Sequence, residues 1–194
     1  MIDKANITGI ILAGGKSSRM GTDKGFLKLN NKPFIQYSID ALQPLVSDIL
    51  IVSDAAAYDV FGLKRIHDTL KNAGPISGIY SGLKASKTTY NLVLSCDIPL
   101  ITTVVLQKLI DAFDEESEII QAESNGKTMP LIALYKSSIK DTFKSFLEQD
   151  ERRLRIAIKA CNYKNVVLDE AYHNATLNVN TKEELKHIED VYNH

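Results

Sequence analysis

The sequence predicts an α/β fold in which a central, mostly parallel sheet is flanked by helices. Short, continuous apolar runs alternate with segments whose apolar residues recur at helical spacing, and this alternation is typical of βαβ units. The runs lack polar alternation, as expected for strands covered on both faces. The length of 194 residues suits one domain. Since no repeat, low-complexity tract or linker divides the chain, we expect a single domain over residues 1–194.

Three strand–helix pairs are predicted in the N-terminal half. The apolar runs that predict strands span residues 7–12, 48–53 and 90–97. The helical patterns lie within residues 34–45, 74–86 and 102–113. The second helix follows a Gly-Pro turn, and the third has threonines available as N-terminal caps.

The C-terminal half is less regular. Two short strands flank Asn125-Gly126, a dipeptide that favours a tight hairpin turn. Helices are predicted over 138–148 and 152–159, and a last strand over 165–168. Thr181 and Glu184 have the spacing of a capping box at the start of a terminal helix.

Composition excludes several classes of protein. A formal net charge of −1 argues against wholesale binding to nucleic acid or to an anionic membrane. Cys96 and Cys161 lack the spacing of a metal site or a disulfide framework. No apolar stretch approaches the ~20 residues of a membrane span, and the first residues do not resemble a signal peptide. We therefore expect a cytoplasmic protein that binds neither nucleic acid nor a membrane.

The segment "LAGGKSSRMGTDKG" over residues 12–25 predicts a phosphate site. It follows a parallel strand, at the sheet edge where open α/β sheets bind ligands. Gly14, Gly15 and Gly21 can adopt positive φ and let backbone N–H groups approach a ligand. Arg19 and Lys24 add cations that suit a polyphosphate. The spacing matches neither G-x-x-x-x-G-K-[ST] nor G-x-G-x-x-G, and the alternative is a flexible turn with solvated charges.

The segment "LSCDIP" places Asp97 at the end of a predicted strand, at the same sheet edge. A hard dication held by one or two carboxylates and by phosphate oxygens is the usual way to neutralise a bound triphosphate. Asp97 is therefore a candidate ligand for Mg²⁺. The alternative is a plain turn at the end of a strand.

Together, these two segments resemble the nucleotidyltransferases of the GT-A-like class, and the chain as a whole resembles the molybdenum cofactor guanylyltransferases. Five further stretches follow in the order of that family: "GLKRIHD" (62–68), "GPISG" (74–78), "MPLIALY" (129–135), "DERR" (150–153) and "LNVNTKEEL" (177–185). The resemblance implies a Rossmann-like, GT-A-like nucleotidyltransferase fold. It also implies that the N-terminal half binds the nucleotide and the C-terminal half binds the acceptor.

The implied activity is Mg²⁺-dependent transfer of GMP from GTP to the phosphate of molybdopterin, with release of pyrophosphate. Related cytidylyltransferases of the same pathway typically have alanine where this chain has Gly14, and tend to have aspartates where it has Asn178 and Asn180. A glycine at position 14 leaves room for a larger base edge, which favours a purine. The step from purine to guanine rests on the resemblance.

The resemblance also assigns site residues. The implied nucleotide-binding residues are Leu12, Ala13, Gly14, Gly15, Lys24, Asp68 and Asp97. The implied catalytic residues are Arg19, Lys24 and Asp97, of which Asp97 also binds the metal. The implied acceptor-binding residues are Gly78, Arg152, Arg153, Asn178 and Asn180. Asp68 also suits a loop or cap carboxylate, the arginines suit a solvated helix start, and the asparagines suit a strand end before a helix cap.

Two alternatives to this function stay open. One is a nucleotidyltransferase with another nucleotide or acceptor, such as CTP with molybdopterin, or a sugar phosphate, isoprenoid precursor or cobinamide phosphate as the acceptor. The other is a non-catalytic carrier of a nucleotide or pterin cofactor, which would have no use for a metal-binding carboxylate beside the phosphate loop. With GTP and molybdopterin as substrates, the expected protein partners are molybdenum-insertion proteins and apo-molybdoenzymes or their chaperones.

Overall fold

The computed structural model describes residues 2–14 and 23–192. The strands are β1 (Ile7–Leu12), β2 (Lys28–Leu29), β3 (Lys32–Pro33), β4 (Asp48–Val52), β5 (Lys64–Ile66), β6 (Tyr90–Ser95), β7 (Ile119–Ser124), β8 (Lys127–Lys136) and β9 (Tyr163–Val167). The helices are α1 (Phe34–Leu42), α2 (Pro75–Ala85), α3 (Thr103–Asp111), α4 (Lys140–Glu148), α5 (Leu154–Lys159) and α6 (Lys182–Tyr192).

Seven strands form one sheet in the order β5-β4-β1-β6-β8-β7-β9. The pairs β5–β4, β4–β1, β1–β6 and β7–β9 are parallel, whereas β8 pairs antiparallel with both β6 and β7. The strands β2 and β3 form a separate short hairpin. The prediction of a central, mostly parallel sheet is therefore confirmed.

Helices cover both faces of the sheet, so successive strand residues enter two different cores. On one face, Ile11 and Leu94 pack with α1 and α3. On the other face, Ile10 and Val93 pack with α2, α4 and α5. All four side chains have no exposed surface. This two-sided burial explains why β1 and β6 read as continuous apolar runs in the sequence.

The terminal helix α6 folds back onto the N-terminal half of the chain. Its Ile188 packs with Leu29, Phe34 and Val179 in a third, smaller core. The predicted capping box is confirmed: Glu184 N donates to Thr181 Oγ1 over 3.1 Å, and Thr181 N donates to the Glu184 carboxylate over 3.0 Å. These bonds fix where the chain enters α6.

The predicted elements agree with the structure apart from their ends and three short strands. The sequence patterns did not predict β2, β3 or β5, and β6 ends two residues before the predicted boundary at 97. The hairpin turn is confirmed, with φ of 53° at Asn125 and 69° at Gly126, as a two-residue type I′ turn requires. None of the helices in the described part of the chain combines the length and the apolar composition that a membrane crossing needs.

A bulge interrupts the pairing of β7 with β8. Gln121 lies opposite Ala133, but the next residue, Ala122, lies opposite Met129. The buried Tyr135 Oη donates to the carbonyl of Pro130 over 2.8 Å and closes this bulge. Bulges of this kind bend a strand and redirect its side chains, and they are common beside functional sites.

We predict that Tyr135→Phe lowers the free energy of unfolding by about 1–2 kcal/mol, because it removes the buried hydrogen bond that closes the bulge. Urea denaturation followed by circular dichroism measures the change. The matched control is Tyr163→Phe in β9, where the side chain is 41% exposed and the change should stay within about 0.5 kcal/mol. Equal effects of the two variants would contradict the role given to Tyr135.

Candidate active site

The carboxyl ends of the parallel strands meet at one edge of the sheet. Ala13 follows β1, Ser53 follows β4, and Cys96 follows β6. The strand pairing continues beyond the strands themselves: Ala13 N donates to the carbonyl of Val52 over 3.0 Å, and Cys96 N donates to the carbonyl of Leu12 over 3.1 Å. The backbone that leads into the predicted phosphate loop and into the metal-ligand candidate is therefore fixed by the sheet.

Lys24 and Asp97 are in direct contact at this edge. The Lys24 ammonium lies 2.9 Å from Asp97 Oδ2 and donates over 2.5 Å to Asn180 Oδ1. The other carboxylate oxygen, Oδ1, accepts a hydrogen bond of 2.6 Å from Ser95 Oγ. The side chains of Lys24 and Asp97 are only 21% and 14% exposed. Three predicted site residues from distant parts of the chain are thus brought to one point.

The backbone of Lys24 is fixed by residues that the sequence patterns did not single out. Asp23 caps the 3₁₀ turn Lys24–Phe26, since its Oδ1 accepts from Gly25 N over 3.1 Å. The same oxygen accepts a bond of 2.5 Å from Tyr58 Oη. Burial, more than the neighbouring Cys96 and Asp23, raises the pKa of the Tyr58 phenol far above its usual range, so the hydroxyl remains a donor.

Gly25 allows Tyr58 to approach the turn closely. A Cβ at position 25 would lie 2.3 Å from Tyr58 Oη, a distance that no side chain can occupy without displacing the ring. The tyrosine ring also packs against Phe26, with centroids 4.7 Å apart and the ring planes tilted by 36°. The position after Lys24 therefore requires glycine for packing, and sequence analysis missed this requirement because Tyr58 is distant along the chain.

The segment over residues 178–180 is attached to Asp97 through its backbone. Val179 N donates to the backbone carbonyl of Asp97 over 2.9 Å, and its side chain is fully buried. Asn180 N donates to the Glu184 carboxylate over 2.5 Å. Asn180 therefore reaches Lys24 from a fixed backbone, whereas Asn178 is exposed.

The predicted phosphate loop lies mostly outside the described residues. Gly15 and Arg19 fall in the segment 15–22, so their roles stay predictions. The φ of Gly14 is not positive, so the conformational freedom of this glycine is not used here, and its predicted contact with the nucleotide stays a prediction. Among the described residues, the nearest atom to a Cβ built at Gly14 is Ser53 Oγ, at 4.0 Å. These residues therefore leave room beside β1 at this position.

Leu12, Ala13 and Gly78 are buried and contribute to the packing of the core. Leu12 is 9% exposed and Ala13 is fully buried, and the Leu12 carbonyl and the Ala13 N–H already take part in the strand pairing. Their predicted contact with the nucleotide stays a prediction. Gly78 is buried within α2, where a Cβ would lie 3.2 Å from Leu12 Cδ2. Position 78 thus allows α2 to pack closely on β1, and its predicted contact with the acceptor stays a prediction.

Asp68 follows β5 and binds to the start of α2. Its Oδ1 accepts from the hydroxyl groups of Ser77 and Ser81 and from Leu70 N. The strands β4 and β1 separate β5 from β6, so the strands that precede Asp68 and Asp97 are about 14 Å apart. The carboxylate ties a loop to a helix, as the alternative interpretation proposes. Its contact with the nucleotide stays a prediction.

Arg152 and Arg153 lie in the loop before α5, and each is bound to an acidic residue two positions earlier. Arg152 contacts Asp150 over 2.7 Å and also donates over 3.3 Å to the carbonyl of Asn72, close to the start of α2. Arg153 binds both oxygens of Glu151, over 2.9 and 2.5 Å. This double hydrogen bond lowers the pKa of Glu151 to about 2. The structure does not bring these arginines into contact with Lys24 or Asp97.

The oxygen donors beside Lys24 suit a magnesium ion that is shared with a substrate. Asp97 offers a carboxylate and Asn180 an amide oxygen, and both are hard ligands. Within residues 2–14 and 23–192, no three His, Cys, Asp or Glu side chains gather closely enough to hold a metal ion by themselves. A site with one carboxylate fits a metal whose other ligands are phosphate oxygens and water.

Known proteins resemble this chain over nearly its full length. The family described as "MobA-like NTP transferase domain" matches residues 9–165. The "Probable molybdenum cofactor guanylyltransferase" of Flavobacterium johnsoniae is 38% identical, with 92% of this chain and 94% of the relative covered. The "Molybdenum cofactor guanylyltransferase" of Vibrio parahaemolyticus is 34% identical, with 95% and 96% covered.

A solved structure has the same fold at lower sequence identity. The molybdopterin-guanine dinucleotide biosynthesis protein A from Archaeoglobus fulgidus superposes with a TM-score of 0.82 at 21% identity, covering 96% of this chain and 98% of that protein. This similarity confirms the nucleotidyltransferase fold that the sequence predicts.

We predict that Arg153→Gln raises the pKa of Glu151 from about 2 toward the ordinary value of about 4.3, because the double hydrogen bond to the carboxylate is lost. The measurement is an NMR titration of the Glu151 side-chain carboxyl carbon. In the control Arg152→Gln the titration midpoint should stay at about 2, because the side chain of Arg152 pairs with Asp150 and only its backbone affects Glu151. An unchanged midpoint in Arg153→Gln would show that this pair does not form in solution.

Proposed function

The chain belongs to the MobA-like NTP transferase family, and we propose that it transfers GMP from GTP to the phosphate of molybdopterin. The products are the guanine dinucleotide form of the cofactor and pyrophosphate. The contact between Lys24 and Asp97 at the carboxyl edge of the sheet carries this proposal, because it joins the predicted phosphate loop to the metal-ligand candidate. The names of relatives that are 34–38% identical support the choice of guanine and of molybdopterin.

The reaction is an in-line displacement at the α-phosphorus of GTP. An oxygen of the molybdopterin phosphate forms the new bond to this phosphorus, and the bond to the bridging oxygen of the β-phosphate breaks, so that pyrophosphate leaves with the electron pair. The attacking phosphate is already ionised at neutral pH. The protein therefore does not need a general base, and its work is positioning and charge stabilisation.

On the nucleotide side, backbone groups of Leu12, Ala13 and Gly14 meet the nucleotide beside β1. The Lys24 ammonium, together with Arg19, binds the triphosphate and stabilises the negative charge that develops on the leaving pyrophosphate. The low exposure of Lys24 makes this charge effective, because water screens it only weakly.

Asp97 and Asn180 are the residues that would hold Mg²⁺. The ion, when bound, neutralises charge on the phosphate oxygens of the nucleotide. Ser95 Oγ holds the Asp97 carboxylate in a fixed rotamer by donating to Oδ1. The carboxylate is thereby oriented with Oδ2 toward the phosphate loop.

The acceptor side lies in the C-terminal half. Molybdopterin is an anionic pterin rich in hydrogen-bonding groups, and Asn178 and Asn180 supply amides for it at the edge of the sheet. Arg152 and Arg153 supply cations, but each must exchange an acidic residue of the protein for the ligand. Molybdenum-insertion proteins, apo-molybdoenzymes and their chaperones remain expected partners.

The first experiment compares thermal unfolding with GTP, CTP, ATP and UTP, each with and without Mg²⁺. A ligand that binds only the folded protein stabilises it by about 2.7 kcal/mol at 100 times its dissociation constant. We expect a selective response to GTP that Mg²⁺ enhances, and release of pyrophosphate when molybdopterin is added. A response to CTP would indicate a cytidylyltransferase, and GTP binding without pyrophosphate release would indicate a carrier.

We predict that Asp97→Asn lowers kcat at least about 100-fold while the protein stays folded, because the site then has no carboxylate to bind the metal strongly or to balance the Lys24 charge. Pyrophosphate release measures turnover, and circular dichroism checks the fold. The control Asp111→Asn, at an exposed carboxylate of α3, should leave kcat unchanged. Full activity of Asp97→Asn would exclude the metal role of Asp97.

A further inference from the structure

The Lys24 ammonium occupies the place where the proposed function requires a metal ion. Its Nζ lies within 2.9 Å of Asp97 Oδ2 and within 2.5 Å of Asn180 Oδ1. These are the two hard oxygen donors that fit Mg²⁺. A cation of the protein itself therefore already neutralises the donor set.

We propose that Lys24 is the resident cation of the nucleotide-free site and keeps divalent metal off Asp97 and Asn180 until the nucleotide arrives. The Lys24 ammonium then moves to the triphosphate and releases both residues. This inference rests on the proposed function, because it names the order in which that same site is filled. On this proposal, metal binds together with the nucleotide, and the acceptor binds after Asn180 has lost its contact with Lys24.

Electrostatics supports exclusion of free metal. A divalent ion bound to Asp97 and Asn180 would lie within a few ångströms of the ammonium, and the two positive charges would repel each other. The side chains of Lys24 and Asp97 are mostly buried, so salt and water screen this repulsion weakly. A single carboxylate that is already paired has little affinity left for a free dication.

The ammonium can leave without moving the chain. The backbone of Lys24 is held by the Asp23 cap and by the contact of Gly25 with Tyr58, whereas its side chain is a flexible four-carbon stem. A bound triphosphate offers this stem new anionic partners. The metal that comes with the nucleotide then takes over the charge of Asp97, so neither carboxylate nor ammonium is left unpaired.

The transfer also links the two halves of the chain. Lys24 and Asn180 are 156 positions apart, one in the proposed nucleotide half and the other in the proposed acceptor half. When the ammonium leaves, Asn180 Oδ1 exchanges it for the metal, while the backbone stays attached through Val179 N to Asp97 O and through Asn180 N to Glu184. Nucleotide binding thus changes the amide that faces the acceptor.

The first test measures binding of Mn²⁺ to the nucleotide-free protein by electron paramagnetic resonance. We expect Lys24→Met, which keeps the stem and removes the charge, to bind Mn²⁺ at least ten-fold more tightly than the wild type. The control is Lys164→Met, which removes a lysine from a pair of similar length but greater exposure, 3.0 Å from Asp114, at the start of β9. This control should bind Mn²⁺ as the wild type does.

Adding Asp97→Asn to Lys24→Met should cancel the gain, since the gained ion binds Asp97. The proposal is overturned if Lys24→Met binds Mn²⁺ no more tightly than the wild type, or if the gain persists without the Asp97 carboxylate. Circular dichroism confirms that each variant is folded before its binding is compared.

A second test uses the wild-type protein and does not depend on the folding of a variant. The side-chain amide resonances of Asn180 are followed in ¹H–¹⁵N NMR spectra and assigned by their loss in Asn180→Ser. We expect Mg²⁺ alone to leave them unchanged and GTP with Mg²⁺ to shift them. A shift with Mg²⁺ alone, or none with bound GTP and Mg²⁺, would overturn the proposal.

The proposed activity and the role of Lys24 can be tested separately. If GTP with Mg²⁺ neither stabilises the wild-type protein nor supports pyrophosphate release, the proposed function fails. If it does both, but Lys24→Met gains no Mn²⁺ affinity, the function stands and the role of Lys24 as resident cation is refuted.

Discussion

The contact between Lys24 and Asp97 is the constraint on which the candidate active site, at the carboxyl edge of the sheet, depends. It joins residues 73 positions apart and, through Asn180, a third segment near the C-terminus. Burial of such a pair costs desolvation, so its effect on stability is small or even negative unless further hydrogen bonds compensate. Ser95 and Asn180 provide these bonds. The pair therefore contributes position more than stability, and it places a cation and a carboxylate where a polyphosphate can reach both.

The topology of the sheet explains why two substrates can meet at one edge. The strands β5, β4, β1 and β6 are parallel, so their carboxyl ends line one side of the site. The antiparallel strand β8 starts from that same edge, and its first residues extend beyond the pairing of Ile132 with Leu94. The chain reaches β7 through the crossover that contains α3, and the reversed strand β8 then returns it to lie between β6 and β7. The bulge closed by Tyr135 lies in this returning strand.

Local sequence patterns predicted the elements whose residues are determined by burial and by hydrogen bonding close along the chain. Apolar runs buried on both faces identified β1, β4 and β6, and parallel pairing then implied that Asp97 and the glycine loop share an edge. The three-residue strand β5, with Lys64 and Arg65, has no apolar signal to detect. The contacts of Tyr58 with Asp23 and of Asn180 with Lys24 join residues 35 and 156 positions apart, so no periodicity reports them.

The charged residues of the site that the structure describes are engaged with partners inside the protein. Lys24 binds Asp97, Arg153 binds Glu151, and Asp68 binds the serines of α2. An anionic substrate must therefore exchange partners with the protein, because each new contact breaks an old one. This exchange reduces the binding free energy gained from any single charged contact, so a lone phosphate binds weakly. A larger ligand can replace several of these internal partners at once. If it also brings a cation that pairs with the carboxylate released from Lys24, no charge of the site is left unpaired. Internal pairing thus favours a complete nucleotide–metal complex over its fragments.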